Sequence, residues 1–472
     1  MKKLSGGSGC VSSNTFPLEP TGAVPCVSTM SFPLPVQPYP TRTLDTNEAN
    51  LLRRFTNTLT AGALHDYDCF VKDCHGDVRE DRRHDWKLVK RQNGLAIYCD
   101  RSIGANHDNS NAVAPDEDER GFNQDLSAPP GQIQALLCVG TMAGTLDDVM
   151  HGVVSPTSED TMLKSSSIKD NIVDCCVLAT IASPTPQDPW RSLTLKWAAH
   201  KSPAIVRPFV QTRDFTYAES TGTTTNIDGE RVGYHIIHSV VIPDTQKEGH
   251  GIVRGNLSLY HVFRQKTPNT VEVHVRAVWQ LNGRMHPAVQ TYTCVEATIS
   301  IARLHKCSQM RKLAWMRHKS RSEDRKADPS CCNLCRRWIV GCFAVDKSCS
   351  VCQCFVCWRC CVSKTMGTYS PLKREVLEKR QAVCRRCLRK SEENVVLLEL
   401  KPPKRSRVLL SRALSTGSTA SMNSKDWDSG RYCRASSSRY LDESSAKLPG
   451  HEDPARPSGH ISESFQRSKA LP

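Results

Sequence analysis

The sequence predicts an α+β fold in which an antiparallel sheet is closed by a long C-terminal helix and is followed by a small cysteine-rich module. Three observations lead to this prediction. Runs that alternate apolar and polar residues recur between Trp86 and Gly283, as half-buried strands do. Helical periodicity replaces them after Pro287. Finally, 12 of the 23 cysteines lie between Cys331 and Cys387, which indicates a separate metal-binding module.

Composition limits the class of protein. A chain of 472 residues suggests two or three domains. The formal charge is +15, and residues 303–407 alone hold 26 basic and 9 acidic residues, a net of +17. The sequence contains no run of 18 apolar residues, so no membrane span is predicted. Met1-Lys2-Lys3 is followed by Gly and Ser rather than by the apolar segment of a secretory signal. We therefore expect a cytoplasmic protein, soluble or peripheral to membranes.

The elements of the first domain, placed at 46–305, follow in order. Residues 1–45 are rich in Ser, Gly and Pro and are predicted to be a disordered arm; residues 46–66 form an amphipathic helix. Asn93-Gly94 between two apolar runs predicts a β-hairpin, and 104–132 is a solvated loop that carries Asp116–Glu119. One or two short helices are expected over 146–151 and 158–167. Further strands are predicted at 175–182, 192–197, 209–217, 232–242, 252–263 and 270–281.

The last strand and the helix after it define a cleft. Val271, Val273 and Val275 alternate with polar residues, so the sheet is predicted to have one covered face and one wet face. Pro287 suits a first helical turn and opens a helix that runs to about His318. A helix of this kind across a sheet encloses an apolar cleft. The segment 287–310 would act as its lid.

Short phrases in this domain resemble the START lipid-binding domain, whose fold is the helix-grip. They are Trp86–Lys90 leading into Gly94–Tyr98, then Lys196-Trp197, then Arg213-Asp214-Phe215. The resemblance implies one lipid held in an apolar cavity, whose lining residues the sequence leaves unknown. A helix-capped sheet with a filled core and no ligand is the alternative.

The cysteines of the second module form four Cys-x-x-Cys pairs. Since no secretory signal is evident, clustered thiols favour metal ligation over disulfides. Eight thiolates suit two zinc ions, and the four-residue gap between the second and third pairs favours an interleaved cross-brace. Pairs one and three would share one zinc ion, and pairs two and four the other. The predicted ligands are Cys332, Cys335, Cys357 and Cys360 for one ion, and Cys349, Cys352, Cys384 and Cys387 for the other. Cys331, Cys342, Cys354 and Cys361 fall off this spacing and are predicted to be spare thiols.

This spacing, with Phe355-Val356 before the third pair, resembles the FYVE zinc finger. No His lies between Cys331 and Cys387, which disfavours the RING and PHD arrangements. The finger is placed at 329–391, after a basic linker at 306–328 and before a disordered Ser- and Arg-rich tail at 404–472.

The basic block with which FYVE fingers read phosphatidylinositol 3-phosphate is replaced here by Val345–Ser350. Diffuse basic charge remains, and cations near an anionic leaflet contribute about 1 kcal/mol each. Contact with a membrane, endosomal by the FYVE resemblance, is therefore predicted. The candidate membrane-binding residues are Lys347, Arg336, Arg337, Lys379 and Arg380. A solvated basic face is the alternative.

Catalytic motifs are absent from the sequence: Gly-x-Ser-x-Gly, His-Glu-x-x-His, Gly-x-Gly-x-x-Gly and the P-loop pattern do not occur. His235, His238, His261 and His274 are expected to be exposed or hydrogen-bonded strand residues, and Arg213 with Asp214 to be an ordinary ion pair. The sequence thus predicts a non-enzymatic lipid-binding or lipid-transfer protein. The alternatives are an adaptor whose finger binds protein and, least favoured because aromatic residues are sparse in the basic region, a nucleic-acid binder.

Overall fold

The fold is built on one large sheet with helices on both faces. The computed structural model describes residues 31–102, 133–202, 206, 210–242, 245, 251–320, 330–338 and 348–393. All of these lie in the first of two compact units, 1–405 and 406–472. The helices are α1 (Thr46–Lys72), α2 (Leu146–Val153), α3 (Ser158–Ile168), α4 (Pro287–Ile299), α5 (Leu304–Ser320) and α6 (Arg385–Glu392). The strands are β1 (Trp86–Gln92), β2 (Leu95–Asp100), β3 (Ile133–Ala143), β4 (Ile172–Ala182), β5 (Ser192–His200), β6 (Arg213–Thr225), β7 (Arg231–Ser239), β8 (Val253–Arg254), β9 (Asn256–Thr267), β10 (Thr270–Gln280), β11 (Cys361–Ser370) and β12 (Glu375–Cys384).

The main sheet has the strand order β1-β2-β3-β10-β9-β7-β6-β5-β4. Neighbours on this path pair antiparallel, and β8 adds a short parallel pairing with β6. The hairpin predicted at Asn93-Gly94 joins β1 and β2, and both residues have positive φ, 51° and 83°, as a type I′ turn requires. The predicted α+β class, with an antiparallel sheet, a C-terminal helix across it and a cysteine-rich module behind, is confirmed.

Both faces of the sheet are covered, so the prediction of one wet face is wrong. Helices α2 to α5 pack on the face that carries Val271, Val273 and Val275. Helix α1 crosses the opposite face, where Leu52 and Phe55 pack near β4 and β5. Its later residues reach β7 and β9, and finally β3.

The error arose because the polar residues of β10 find partners on α1. Arg276 Nε donates to Asp66 Oδ2 at 2.8 Å, and the Tyr67 hydroxyl donates to Glu272 Oε2 at 2.8 Å. His274 lies buried between the rings of Tyr67 and Phe70. The alternating polar residues of β10 therefore lie on a face that polar side chains of α1 cover, and not on a face exposed to water.

Residues 31–45 correct the prediction of a disordered arm over 1–45; residues 1–30 lie outside the described residues. Leu34 is buried against β4, and its N–H donates to Asp174 Oδ2 at 2.8 Å. The ring of Tyr39 packs edge-on to Trp197 with 5.9 Å between centroids. The proline-rich composition gave no helix or strand signal here, yet Phe32, Leu34, Tyr39 and Leu44 pack against the sheet.

The helix predicted from Pro287 to about His318 is interrupted. Ser300–Arg303 forms a 3₁₀ turn that separates α4 from α5. Helix α5 occupies the predicted basic linker as far as Ser320, and it is packed: Arg311 Nη1 donates to the carbonyl oxygens of His151 and Val154. Two residues further on, Leu313 is buried in the core of the cysteine-rich module. The predicted tail at 404–472 lies outside the described residues. Among the helices that the structure describes, none is both long and apolar enough to cross a membrane.

Candidate functional site

A cavity lies between the main sheet and helices α3 and α4. The space between the lining atoms, including the part that is open to solvent, is about 720 Å³. One side is apolar and is formed by Ile168, Ile172, Ile237, Leu257, Leu259, Trp279, Ala297, Ile301 and Leu304. A smaller space of about 380 Å³ adjoins it and shares Asp170, His200 and Trp279. The cleft predicted beneath the C-terminal helix is therefore present.

The opposite side of the cavity carries a buried charged cluster. Glu219 Oε1 accepts from Lys164 Nζ at 3.0 Å and from His235 Nε2 at 2.8 Å, while its other oxygen pairs with Lys196 Nζ. Burial alone would raise the pKa of Glu219, but the two lysines and His235 outweigh burial and hold that pKa well below its usual range. Lys164 also donates to Ser155 Oγ at 2.7 Å. The two lysines share one carboxylate and also donate to the carbonyl oxygens of Val153 and Ser155, so this side of the cavity is a hydrogen-bonded polar wall.

Tyr217 stands between this wall and the apolar side. It is buried, and its pKa is raised well above the usual range, chiefly by burial, so the hydroxyl stays protonated. Tyr217 is one of the residues that line the cavity, two positions before Glu219 on β6. The cavity therefore offers a hydrogen-bond donor above an apolar body.

Two of the phrases that suggested the START resemblance, Lys196-Trp197 and Arg213-Asp214-Phe215, meet on the adjacent strands β5 and β6, whereas the other two belong to β1 and β2 at the far end of the sheet. Trp197 Nε1 donates to Asp214 Oδ2 at 2.7 Å. Asp214 pairs with Arg254, whose Nε lies 2.9 Å from Asp214 Oδ1, while Arg213 donates to backbone carbonyls, including that of Leu281 at 3.3 Å. The predicted ion pair between Arg213 and Asp214 is wrong, because neighbouring side chains on a strand point to opposite faces.

Sequence reasoning missed the charged cluster itself. His235 was considered, but its partner Glu219 and the lysines were not, since 55 residues separate Lys164 from Glu219. One local signal existed: Lys196 stands between Leu195 and Trp197 in a strand that has no other Asp, Glu, Lys or Arg, and a lysine is seldom fully buried unless it is paired.

The eight predicted cysteines gather into two groups of four. Cys332, Cys335, Cys357 and Cys360 form one group, and Cys349, Cys352, Cys384 and Cys387 form the other, with the sulfur atoms of each group within 4.8 Å of one another. The interleaving is that of a cross-brace. The closest approaches that define the groups are 3.7 Å between the sulfurs of Cys335 and Cys357 and 3.9 Å between those of Cys352 and Cys384. Thiolates at about 2.3 Å from a tetrahedral zinc ion lie about 3.8 Å apart, so both groups fit that ion.

The sulfurs of each group lie so close together that the pKa values of some are lowered and those of others are raised. Burial alone would raise the pKa of Cys332, but backbone N–H groups of Cys335 and Cys357 help to lower it to about 6. Hydrogen bonds from Cys352 and Cys384 lower the pKa of Cys349, whereas Cys349 and Cys352 raise that of Cys387. Four thiols at this distance cannot all lose their protons without a cation between them, so the second group in particular calls for a metal ion. Cys354 is buried outside both groups, and Cys342 lies outside the described residues.

The predicted membrane-binding cations are divided between two places. Arg336 and Arg337 are exposed just after Cys335, and Lys379 and Arg380 are exposed on β12. Lys347 lies outside the described residues. Sequence reasoning did not assign a role to two tryptophans beside the first cysteine group: Trp338 is 74 % exposed and Trp358 is 68 % exposed.

Comparison with known proteins gives structural likenesses only. No protein-family model matches the chain, and no curated protein matches it. Human StAR-related lipid transfer protein 5 is similar over 54 % of this chain and 97 % of its own, with 16 % identity and a TM-score of 0.35. The human StarD13 (DLC2) lipid transfer and protein localization domain covers 50 % of this chain and 95 % of its own, with 11 % identity and a TM-score of 0.32. Human STARD10 covers 52 % of this chain and 78 % of its own, with 12 % identity and a TM-score of 0.31. Because these TM-scores are low, the description of the fold as START-like relies on the strand order and on the position of α4 across the sheet.

Proposed function

We propose that this chain is a non-enzymatic lipid-binding or lipid-transfer protein, with a FYVE-like finger that holds two zinc ions and directs it to a membrane. The cavity of about 720 Å³ under α4 carries the proposal. Burial of apolar surface contributes about 25 cal/mol per Å², so an acyl chain or a sterol body gains by entering it. The Tyr217 hydroxyl would bind an acceptor on the polar end of that lipid.

Filling the cavity tests the lipid site. Ala297 lines the cavity from α4, and Ala288 is exposed on the same helix. We expect Ala297→Phe to reduce the lipid that co-purifies with the protein about tenfold, which corresponds to about 1.4 kcal/mol. Native mass spectrometry measures the bound lipid.

Ala288→Phe is the matched control and should retain the lipid of the unaltered protein. Unaltered protein that carries two zinc ions but no lipid would contradict the lipid site and support the adaptor alternative. Equal lipid in both variants would exclude this cavity as the place of binding.

The exposed tryptophans beside the first cysteine group support the membrane role of the finger. Indole rings favour the interface between lipid headgroups and acyl chains. Arg336 and Arg337 directly precede Trp338 in the sequence. The guanidinium of Arg359 lies 4.9 Å from the ring centre of Trp358. Aromatic rings with adjoining cations suit an anionic leaflet.

Liposome flotation tests this surface. We expect the double variant Trp338→Ala with Trp358→Ala to lose most of its recovery on vesicles of phosphatidylcholine with phosphatidylserine. Ile227→Ala is the control, because Ile227 is 70 % exposed on the turn between β6 and β7. Equal recovery on vesicles without phosphatidylserine would remove the electrostatic part of the proposal, and an unaffected double variant would remove the tryptophans from it.

The cysteines bear on location. None of the 19 cysteines in the described residues is paired in a disulfide, which fits a reducing compartment. The proposal therefore places the protein on the cytoplasmic side of a membrane, with the endosome as the expectation from the FYVE resemblance.

A further inference from the structure

The hairpin of β11 and β12 is rooted in both cysteine groups. Strand β11 starts at Cys361, directly after Cys360 of the first group, and β12 ends at Cys384 of the second group. Cys361 and Cys384 are paired in the register. Metal ions in the two groups would therefore fix the base of this hairpin from both sides.

The middle of the hairpin lies on helix α3. A Cβ atom at Gly367 would stand 3.5 Å from Ser166 Oγ and 3.6 Å from a methyl group of Leu163, so the backbone of the hairpin lies against side chains of α3. Across the hairpin, Glu378 Oε1 accepts from Ser166 Oγ at 2.7 Å and pairs with Lys169 Nζ. Tyr369 and Val376 pack against the same apolar cluster that surrounds the cavity.

The end of the hairpin reaches the first residues of β4 and the N-terminal segment. Arg374 Nη2 lies 2.6 Å from Asp174 Oδ1, and Arg374 Nη1 donates to the carbonyl oxygen of Leu34 at 3.2 Å. Asp174 is buried. Removal of Arg374 would leave a buried carboxylate without its counter-ion, so the contact is an integral part of the fold.

Helix α3 is at the same time a wall of the cavity. Thr161, Lys164 and Ile168 face the cavity from it, whereas Leu163, Ser166 and Lys169 meet the hairpin on its other side. This division follows from helical periodicity, since residues three and four apart share a face.

We propose that the finger is a clasp on the cavity: metal binding at the two cysteine groups holds the hairpin against α3, and release of the hairpin loosens that wall and speeds the exchange of ligand. This gives the finger a second function, besides its role at a membrane. The part that concerns ligand rests on the proposed lipid site, while the clasp itself does not.

Amide hydrogen exchange over residues 158–168 of the full-length protein measures the clasp without any ligand. Glu378→Lys opposes Lys169 while leaving all eight cysteines in place. We expect exchange in α3 to become about threefold to tenfold faster, the range for loss of a partly exposed ion pair and its replacement by repulsion. Removal of zinc with a chelator is expected to give a larger increase.

Two further variants make the result specific. Lys169→Glu combined with Glu378→Lys restores the opposite charges and should return exchange in α3 to its original rate. Glu375→Lys makes the same charge change on the same hairpin, where Glu375 pairs with Lys373 at 3.8 Å and meets no helix of the sheet domain by hydrogen bond or ion pair in the described residues. It should leave α3 unchanged.

The proposal is overturned if exchange in α3 is the same with and without zinc, or if Glu375→Lys has the effect of Glu378→Lys. If native mass spectra of the unaltered protein show no bound lipid, while amide exchange in α3 still depends on zinc, the lipid site is refuted and the clasp is retained. Where lipid is bound, transfer of Nile red from the protein to phosphatidylcholine vesicles should accelerate in the same variants.

Discussion

Cys384→Ser is expected to lower bound zinc from two ions per chain to one at most, and to unfold the finger. Cys384 ends β12 and caps α6 through its sulfur, which accepts from the Cys387 N–H at 3.3 Å. All four cysteines of its group are buried in the core of the finger. Structural zinc in small modules contributes about 10–16 kcal/mol of binding energy to folding, so little else would hold this core together. Metal analysis of the purified protein and its thermal unfolding measure the effect.

Cys354→Ser is the control for this experiment. Cys354 is buried in the same core but belongs to neither group, so the variant should keep two zinc ions per chain. Fewer than two ions in the unaltered protein, or loss of an ion in Cys354→Ser, would show that the grouping of the sulfurs does not describe the ligands.

Acid is expected to destabilise the sheet domain strongly below pH 6.5, because its buried histidines cannot take up protons in the folded state. Burial lowers the pKa of His238 to about 4, that of His261 to about 3 and that of His274 to about 4. In the unfolded chain each would titrate near 6.5. Between pH 6.5 and 5 these histidines therefore bind protons in the unfolded state but not in the folded state. Each one lowers the free energy of unfolding by about 2 kcal/mol over this range. The three together approach about 6 kcal/mol, a large part of the 5–15 kcal/mol typical of a domain.

His274→Phe isolates one of these protons. The phenyl ring would fill the place of His274 between Tyr67 and Phe70, and the buried Nε2 atom of His274 has no hydrogen-bond partner to lose within the described residues. The free energy of unfolding should therefore fall less steeply with acid, by about 1.4 kcal/mol per pH unit between pH 6 and 4.5. Denaturant unfolding at a series of pH values measures the slope. Zinc release at low pH affects both proteins alike, and equal slopes would contradict the assignment of a neutral buried His274.

Features that depend on neighbours in sequence were predictable. The turn at Asn93-Gly94 and the four Cys-x-x-Cys pairs each carry their geometry within a few residues, and the four-residue gap was enough to indicate interleaving of the cysteine groups. Most strands of the main sheet were predicted for the same reason, because alternation of side chains is a local property. Strand β3 and the hairpin strands β11 and β12 were not predicted.

Features that join distant residues were not. Three ion pairs show this. Each joins segments that only the tertiary fold brings together: Lys164 with Glu219, Arg276 with Asp66, and Arg374 with Asp174. In each case the charge of a side chain suggested that it would be exposed to solvent. It is instead buried or half-buried, because a partner of opposite charge pairs with it. The outer face of the sheet and the polar side of the cavity were missed for this one reason.

Helix α5 has a consequence for how the chain can change over evolutionary time. Arg311 grips the carbonyl oxygens at the end of α2, and Leu313 belongs to the interior of the finger. A single residue inserted into this helix between Arg311 and Leu313 would swing the finger by about 100° and advance it by about 1.5 Å, carrying the hairpin away from α3. We therefore expect this joint to tolerate substitution better than any change in the length of α5.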